Sequence, residues 1–254
     1  MSAVMTIAGR DLRAYFASLK GAVTFFFLLM FMGLFFQSFC STYLQFQEQA
    51  SQYGGEPPKL SQLLTAIFQN LHFIFLFIVP AVTMASFAEE RKTQVDRLLQ
   101  TAPVSTIQVV MGKFGAAAGF LALVLIASAV FPLYLFKYGN PDLGPILTSY
   151  LGIFLLMAGQ VAFGLWVSSM VSHQFLAFLF TAFGLFLLLI LAWIAPNISS
   201  AGGVEEFVKY LAATSHLDNL FNGLLTVADV VYFVVFIALF LFFTNVSLDS
   251  QRWR

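Results

Sequence analysis

The charged residues of this chain are concentrated in one short segment between long apolar runs. The chain has 12 Lys and Arg and 12 Asp and Glu residues, and six of these lie within residues 89–97. The surrounding segment, residues 86–103, reads SFAEERKTQVDRLLQTAP. Charge of both signs on a short loop suits binding to another protein in water, so we expect a docking segment here.

A second cluster combines hydroxyl groups with an imidazole, as serine hydrolases do. Ser168, Ser169, Ser172 and His173 lie close together in the sequence. The chain lacks the G-x-S-x-G nucleophile elbow, however, and the cluster interrupts a long apolar run. We interpret it as a tight turn between two helices, which makes an intramembrane enzyme the less favoured alternative.

The sequence does not indicate metal, disulfide or nucleotide chemistry in this chain. His72, His173 and His216 are scattered, and Cys40 is the single cysteine, so no ligand set has metal-binding spacing. We expect His72 to make a polar helix contact, and His173 and His216 to be solvated or to cap helices. No phosphate-binding G-x-x-x-x-G-K-S/T loop is present, so the chain itself is not expected to bind ATP.

The apolar runs predict a helical membrane protein. Hydrophobic residues make up 60% and charged residues 9% of the chain, against about 25% charged residues in a soluble domain. A spanning helix needs about 20 apolar residues, whereas barrel strands are short and alternate in polarity. We therefore predict an all-α transmembrane domain over residues 1–254. Its six spanning helices are predicted at residues 21–43, 63–88, 113–136, 146–169, 174–195 and 228–247.

Basic residues are distributed unequally between the two sides of these predicted helices. With both termini placed inside, nine of the 12 lie on the inner side and three on the outer side. The inner residues are Arg10, Arg13, Lys20, Arg91, Lys92, Arg97, Lys113, Arg252 and Arg254, and the outer ones are Lys59, Lys137 and Lys209. This positive-inside bias predicts cytoplasmic termini. No basic stripe lies outside the membrane flanks, so no nucleic-acid partner is expected.

Several segments outside the predicted spans have their own pattern. Residues 4–20 have apolar side chains at helical spacing, which predicts an amphipathic helix along the inner interface, next to membrane lipids. Residues 45–60 contain Gly-Gly and Pro-Pro pairs and predict an irregular outer loop. Residues 196–229 form the longest outer loop. It has two helical stretches that can re-enter the membrane only where protein shields their backbone.

Small residues in the third predicted helix indicate close packing. Gly115 and Gly119 are four residues apart, with alanines between them. This small-xxx-small face permits close approach of another helix. We assign it to helix packing and to no substrate role.

The charged segment is predicted to start a new helix. Ser86 and Glu89 have the spacing of a capping box, and Glu89 and Glu90 would lie near the positive end of the helix dipole. Leu98 and Leu99 contribute to an apolar face further along. Two interpretations stay open from these residues: a loop helix resting on lipid, or a docking element. Acidic residues suit an anionic leaflet poorly, which favours docking.

The same segment resembles the permease subunits of ABC-2 type exporters. In that family, F-x-E-E-R is followed by L-L-x-x-x-P-V-S and by a G-K pair that opens the next helix. The matching residues are Phe87, Glu89, Glu90, Arg91, Leu98, Leu99, Pro103, Val104, Ser105, Gly112 and Lys113. The C-terminal part is similar to the gliding-motility branch, through His216, Gly223, residues 229–233 and residues 251–254.

The resemblance implies a coupling helix. Residues 86–103 would be a cytosolic helix that docks on a separate ABC ATPase subunit, which binds ATP and Mg²⁺. The docking charges would be Glu89, Glu90 and Arg91, and the apolar side of the helix would be Leu98 and Leu99.

The resemblance also implies how the rest of the chain is used. Residues 4–20, with Arg10, Arg13 and Phe16, would form a connecting helix. A second copy of this permease, or a related one, would complete the transporter in the bacterial cytoplasmic membrane.

Two other functions stay open from the sequence. A stand-alone channel or secondary transporter is the first, although ion-coupled transporters keep ionisable groups inside their spans and we expect none at mid-span here. A non-transporting scaffold is the second. The 32 Phe residues and the uncharged spans favour an amphipathic or apolar substrate.

Overall fold

The chain is mostly helical in the part that the computed structural model describes, residues 3–54, 60–93, 104–137, 141–194, 210 and 212–252. Ten α-helices and no β-strand occur among these residues. They are α1 (Ala3–Ala17), α2 (Leu19–Tyr53), α3 (Leu60–Thr83), α4 (Ala88–Lys92), α5 (Thr106–Ala127), α6 (Val130–Leu135), α7 (Leu143–Met170), α8 (Gln174–Ile194), α9 (Ala213–Phe221) and α10 (Val227–Arg252).

Six helical stretches are long and apolar enough to cross a membrane. They are Gly21–Tyr53, Thr65–Lys92, Thr106–Leu135, Leu143–Met170, Gln174–Leu191 and Val227–Gln251. The second stretch runs from α3 through α4, and the third combines α5 and α6. The predicted all-α fold with six spanning helices is confirmed.

Helix α7 lies at the centre of the bundle. In its apolar window 72% of the residues are buried, against 11% in the first spanning stretch. α7 packs against α3, α5, α8, α9 and α10. A Cβ atom at Gly164 would lie 2.3 Å from Thr83 Oγ1, so α7 and α3 approach closely at this position. The ends of α7 are therefore held firmly by its neighbours, which matters for the site described below.

Helix α1 packs along α5 and is part of the helical bundle. The Tyr15 and Phe120 rings stack with their centroids 5.2 Å apart, and the Phe16 ring meets Phe120 edge-on at 5.2 Å. Ser18 separates α1 from α2, and its Oγ atom accepts a hydrogen bond from the Gly21 N–H at 3.0 Å. α1 thus joins the spans through a capped turn. Its relation to the membrane interface stays a prediction.

The outer loop predicted for residues 45–60 begins later than expected. α2 continues to Tyr53 and ends at Gly54, whose φ of 72° is left-handed. The Gly54 N–H donates to the Ala50 carbonyl, which closes the helix. Glutamine, glutamate and alanine are good helix formers, so their polarity alone does not end the helix, whereas a glycine in this conformation does.

The third spanning helix begins earlier than the predicted residue 113. Ser105 and Gln108 form a capping box: the Gln108 N–H donates to Ser105 Oγ at 3.4 Å, and the Ser105 N–H donates to Gln108 Oε1 at 3.1 Å. α5 therefore starts at Thr106. The prediction followed the charge-free run, and the amphipathic first turns of the helix fall outside that run.

At the opposite end of the bundle, the expectation that His216 is solvated or capping is wrong. His216 is 7% exposed and Asp229 is 3% exposed. His216 Nδ1 lies 2.7 Å from Asp229 Oδ1, and His216 Nε2 lies 3.1 Å from the Tyr210 carbonyl oxygen. Thr226 donates to Asp229 Oδ2 at 2.5 Å. These contacts fasten α9 to the first turn of α10.

Candidate functional site

The charged segment begins with α4, a helix of five residues. Its first turn contains Glu89 and Glu90, and its last turn contains Arg91 and Lys92, an order that complements the helix dipole. The N-cap residue is Phe87, which makes no side-chain capping bond. The predicted capping box of Ser86 and Glu89 is therefore wrong, although a new helix does start here.

The cap of α4 comes from α7. The backbone N–H groups of Phe87 and Ala88 donate to Ser168 Oγ at 3.2 and 3.3 Å, and Ser168 Oγ donates to the Met84 carbonyl at 3.3 Å. The first N–H groups of a helix need acceptors from outside that helix. The hydroxyl that suggested a nucleophile in the sequence is thus engaged with the backbone around the start of α4.

Arg91 fastens α4 to two spanning helices. Its Nη2 atom donates to the Ser169 carbonyl at the end of α7 and to Gln251 Oε1 in the last turn of α10. Gln251 Nε2 also donates to the Ser169 carbonyl, at 3.2 Å. The short helix is therefore connected directly to the ends of α7 and α10.

Lys113 is a buried cation beneath α4. It lies in the second turn of α5, and it is 5% exposed. Its Nζ atom donates to Glu90 Oε1 at 2.6 Å and to the Ser86 carbonyl at 2.7 Å, and it lies 5.1 Å from the centre of the Phe87 ring. A buried ammonium group needs such partners, because an uncompensated charge costs several kcal/mol.

Helix α1 adds two further charged residues, Arg10 and Asp11, to the pair formed by Lys113 and Glu90. Asp11 Oδ2 lies 3.7 Å from Lys113 Nζ, and Asp11 Oδ1 accepts from Arg10 Nε at 2.8 Å. Arg10 Nη2 lies 3.9 Å from Glu90 Oε1. The hydrogen bond with Asp11 raises the pKa of Arg10 further, so it stays cationic. We call these four residues, Arg10, Asp11, Glu90 and Lys113, the charged junction.

Tyr15 provides a neutral contact beside the charged junction. Its hydroxyl donates to the Val82 carbonyl at 3.2 Å and lies 3.5 Å from Ser86 Oγ. Burial raises the pKa of Tyr15 to about 12, so the phenol stays protonated and can donate. This contact links α1 to the end of α3.

The predicted docking residues face in different directions. Glu89 is exposed, whereas Glu90 and Arg91 are partly buried and bind the chain itself. Leu98 and Leu99, predicted as the apolar side, lie outside the described residues. Two of the three predicted docking charges, Glu90 and Arg91, therefore anchor the helix to other parts of the chain.

The residues predicted for the connecting helix and for helix packing also have distinct positions. On α1, Arg13 is exposed and Phe16 is 49% exposed. A Cβ atom at Gly115 would lie 3.8 Å from Ala8, and one at Gly119 would meet nothing within 4 Å. The closest approach of α1 to α5 occurs at Gly112, where a Cβ atom would lie 2.7 Å from Ile7.

Sequence reasoning gave no role to Asp11, Lys113, Ser168 or Gln251 at this site. The sequence placed Lys113 in the G-K pair of the family pattern and among the inner basic residues, and it placed Gln251 in the C-terminal family pattern. Ser168 is 80 residues from Ala88 and Gln251 is 160 residues from Arg91. Pairings over such separations depend on the packing of the spans and leave no local pattern.

Fold and site together define a multi-pass helical membrane protein with one short charged helix anchored on the ends of its spans. The family model for ABC-2 family transporter proteins matches residues 5–252, nearly the whole chain. The chain therefore belongs to the ABC-2 transporter family. A comparison with curated proteins gave no match.

Proposed function

We propose that this chain is the permease subunit of an ABC-2 transporter in a bacterial cytoplasmic membrane, and that it couples ATP hydrolysis on a separate subunit to export or mechanical work. In this proposal residues 86–103, which include α4, act as the coupling helix. The termini and α4 face the cytoplasm, as the distribution of basic residues favours.

The observation that carries the proposal is the anchoring of α4. Its outward side has Glu89 and Lys92, both exposed. Its inward side binds α5 through Lys113, and Arg91 binds the ends of α7 and α10. A force applied to the exposed side would reach several spanning helices through short polar contacts. A loop helix that only rested on lipid would not need them.

In the proposed mechanism the two sides of α4 have different roles. Glu89 and Lys92 bind the ATPase, while Glu90 and Arg91 transmit its movement. ATP-driven closure of two ATPases would displace α4, and the spans would follow. Such coupling requires that the two states of the permease differ in their contacts with the ATPase.

Family membership supports the remaining parts of the proposed transporter. A second copy of this permease, or a related one, would pair with it, and ATP and Mg²⁺ would bind the ATPase subunits. The resemblance of the C-terminal part to the gliding-motility branch supports mechanical work as an outcome of coupling. The apolar, aromatic spans support an amphipathic or apolar substrate for export.

Pull-down in mild detergent tests the docking role. The charge-reversed variant Glu89→Lys with Lys92→Glu should lose most of the co-purified P-loop ATPase, because its exposed side chains would repel their partners. Glu48→Lys, at the far end of α2, is the matched control and should retain it. Both variants should reach the membrane at the same level, because insertion depends on the spans.

Arg91→Ala tests the transmission role separately. It should still recover the ATPase, but transport or work for each ATP hydrolysed should fall. Recovery of the chain alone from several detergents, with its neighbouring genes expressed, would overturn the proposal and favour a channel or secondary transporter. Normal coupling in Arg91→Ala would refute the transmission role alone.

A further inference from the structure

A cavity of about 40 Å³ lies within the bundle, between α3, α7, α8 and α10 and beside the first turn of α9. No residue of α4 or of the charged junction lines it. One water molecule needs about 10–15 Å³ of such space, whereas sites for drug-sized ligands measure about 300–1,000 Å³. The size of the cavity therefore suits two or three water molecules and excludes a larger guest.

Gln160 on α7 is a buried polar residue in the wall of this cavity. The residue is 5% exposed, and its Oε1 atom has no hydrogen-bond partner in the part of the chain that the structure describes. A buried amide without partners is costly, and the lipid around a spanning bundle cannot supply them. The last torsion of a glutamine side chain is broad, so the amide can turn either its oxygen or its nitrogen to a guest.

His72 on α3 is the second polar group in the wall. The sequence predicts a polar helix contact for this residue, yet its ring makes no hydrogen bond to any residue that the structure describes. An imidazole has two nitrogens, and in the neutral ring one donates and the other accepts. The predicted contact therefore needs a bridging molecule that can do both.

The two polar groups lie at different heights along the spans. Helices α3 and α7 run in the same direction, because Phe68 meets Tyr150 towards their starts and Thr83 meets Gly164 towards their ends. By this alignment His72 lies about two helical turns, or about 10 Å, from the level of the amide. A direct hydrogen bond requires about 3 Å between heavy atoms, so only a chain of small molecules can connect the two groups.

The rest of the wall is uncharged and largely apolar. Leu156, Leu185, Phe233 and Phe236 are among the lining residues, and no Asp, Glu, Lys or Arg lines the cavity. An ion would find no counter-charge here. A wholly apolar cavity would stay dry, but water is retained where buried polar groups offer it hydrogen bonds.

We propose that this cavity binds a short chain of water molecules that connects Gln160 on α7 to His72 on α3. The water satisfies the amide and the imidazole, and it provides the polar contact between the two helices that the side chains do not make directly. Near their other ends the same helices meet closely at Thr83 and Gly164. The bundle is thus held by direct packing at one level and by exchangeable water at another.

X-ray footprinting of the purified full-length protein tests for this water. A short X-ray pulse turns bound water into hydroxyl radicals, and these oxidise the side chains next to it before they can diffuse. Phe233 lines the cavity and is 2% exposed, whereas Phe75 is 0% exposed and lines neither this cavity nor the cleft beside the charged junction. Mass spectrometry should show that Phe233 is oxidised faster than Phe75.

Two variants test whether the polar side chains hold the water. Gln160→Leu should lower the oxidation rate of Phe233 to that of Phe75, because the cavity loses its central partner for water. Gln47→Leu, at an exposed position on α2, is the matched control and should leave the rate unchanged. His72→Phe removes the second polar group independently and should also lower the rate, and thermal unfolding confirms that each variant is folded.

Two results would overturn the water site. Equal oxidation rates of Phe233 and Phe75 in the unchanged protein would show that the cavity is dry. A fast rate at Phe233 that persists in both Gln160→Leu and His72→Phe would show that water reaches the ring without being bound by these side chains. Loss of ATPase docking in the Glu89→Lys test would affect neither result, so the two proposals fail separately.

Discussion

In the part of the chain that the structure describes, the buried charges Lys113 and Asp229 lie near the ends of the spans, each with partners from other elements. Lys113 binds a carboxylate on α4 and a carbonyl before it. Asp229, at the other end of the bundle, accepts from Thr226 and Asn219 and lies against His216. Such groups are costly inside a membrane unless they are paired. Their pairing fixes the geometry of the helix ends, where a transporter must move in a defined way.

The pairing of His216 with Asp229 can be tested by mutation. The two nitrogens of the His216 ring face the Asp229 carboxylate and the Tyr210 carbonyl, both of which only accept hydrogen bonds. We expect Asp229→Asn to lower the stability of the protein by about 1–3 kcal/mol, measured by thermal unfolding in detergent.

A double-mutant cycle with His216→Ala should then give a coupling energy of about 1 kcal/mol or more, because the two side chains contact each other directly. Asp218→Asn, an exposed position on the same helix α9, is the control and should have little effect. Strictly additive losses for His216 and Asp229 would contradict the pairing.

At the scale of elements, α4 depends on the rest of the fold. A helix of five residues has no stability by itself, since isolated helices shorter than about 12–15 residues are marginal in water. Its acidic start could be predicted from the sequence, and so could its position after the second span. Its cap could not, because the acceptor is Ser168 on α7 and not a residue of the local chain.

The packing of α1 on α5 is a second case in which the sequence predicts part of a contact and the rest of the fold determines the remainder. Gly115 and Gly119 have the spacing that predicts a close approach, but the closest contact falls at Gly112. A glycine pattern shows which face of a helix can be approached. Which turn of that face is used depends on the position of the partner helix, and the connection through Ser18 sets that position for α1.

Two glycine substitutions on α5 distinguish these positions. Gly112→Ala would place a Cβ atom 2.7 Å from Ile7 Cγ2 and 2.8 Å from Ile7 Cβ. α1 must then shift, at a cost of about 1–3 kcal/mol. Gly119→Ala meets nothing within 4 Å, and it should stabilise the helix by about 0.5–1 kcal/mol.

Thermal unfolding and limited proteolysis of α1 measure both effects. Only Gly112→Ala should expose α1 to protease and lower the unfolding temperature. If the two variants behaved alike, the contact between α1 and α5 would not depend on Gly112.

At the scale of the whole molecule, the number of spans and their order followed from the apolar runs, because a bilayer requires long apolar helices whatever their tertiary contacts. The apolar surface that the bundle exposes also follows from these runs. The first, fifth and sixth spans are 11%, 17% and 22% buried within the chain. Their apolar faces suit lipid or a second permease, and the more deeply buried α7 holds the bundle together.

The orientation of the bundle is the prediction on which ATPase docking depends, since ATP is supplied from the cytoplasm. With Cys40→Ser as background, single cysteines at Lys92 and at Glu48 mark its two ends, and both positions are exposed. A membrane-impermeant maleimide applied to intact cells should label Glu48→Cys and leave Lys92→Cys unlabelled until the cells are opened. Ser172→Cys, in the turn between α7 and α8, should behave like Lys92→Cys because an even number of spans separates the two positions. The opposite pattern would place α4 outside the cell, where no ATPase could reach it, and Glu89 and Lys92 would then need a different partner.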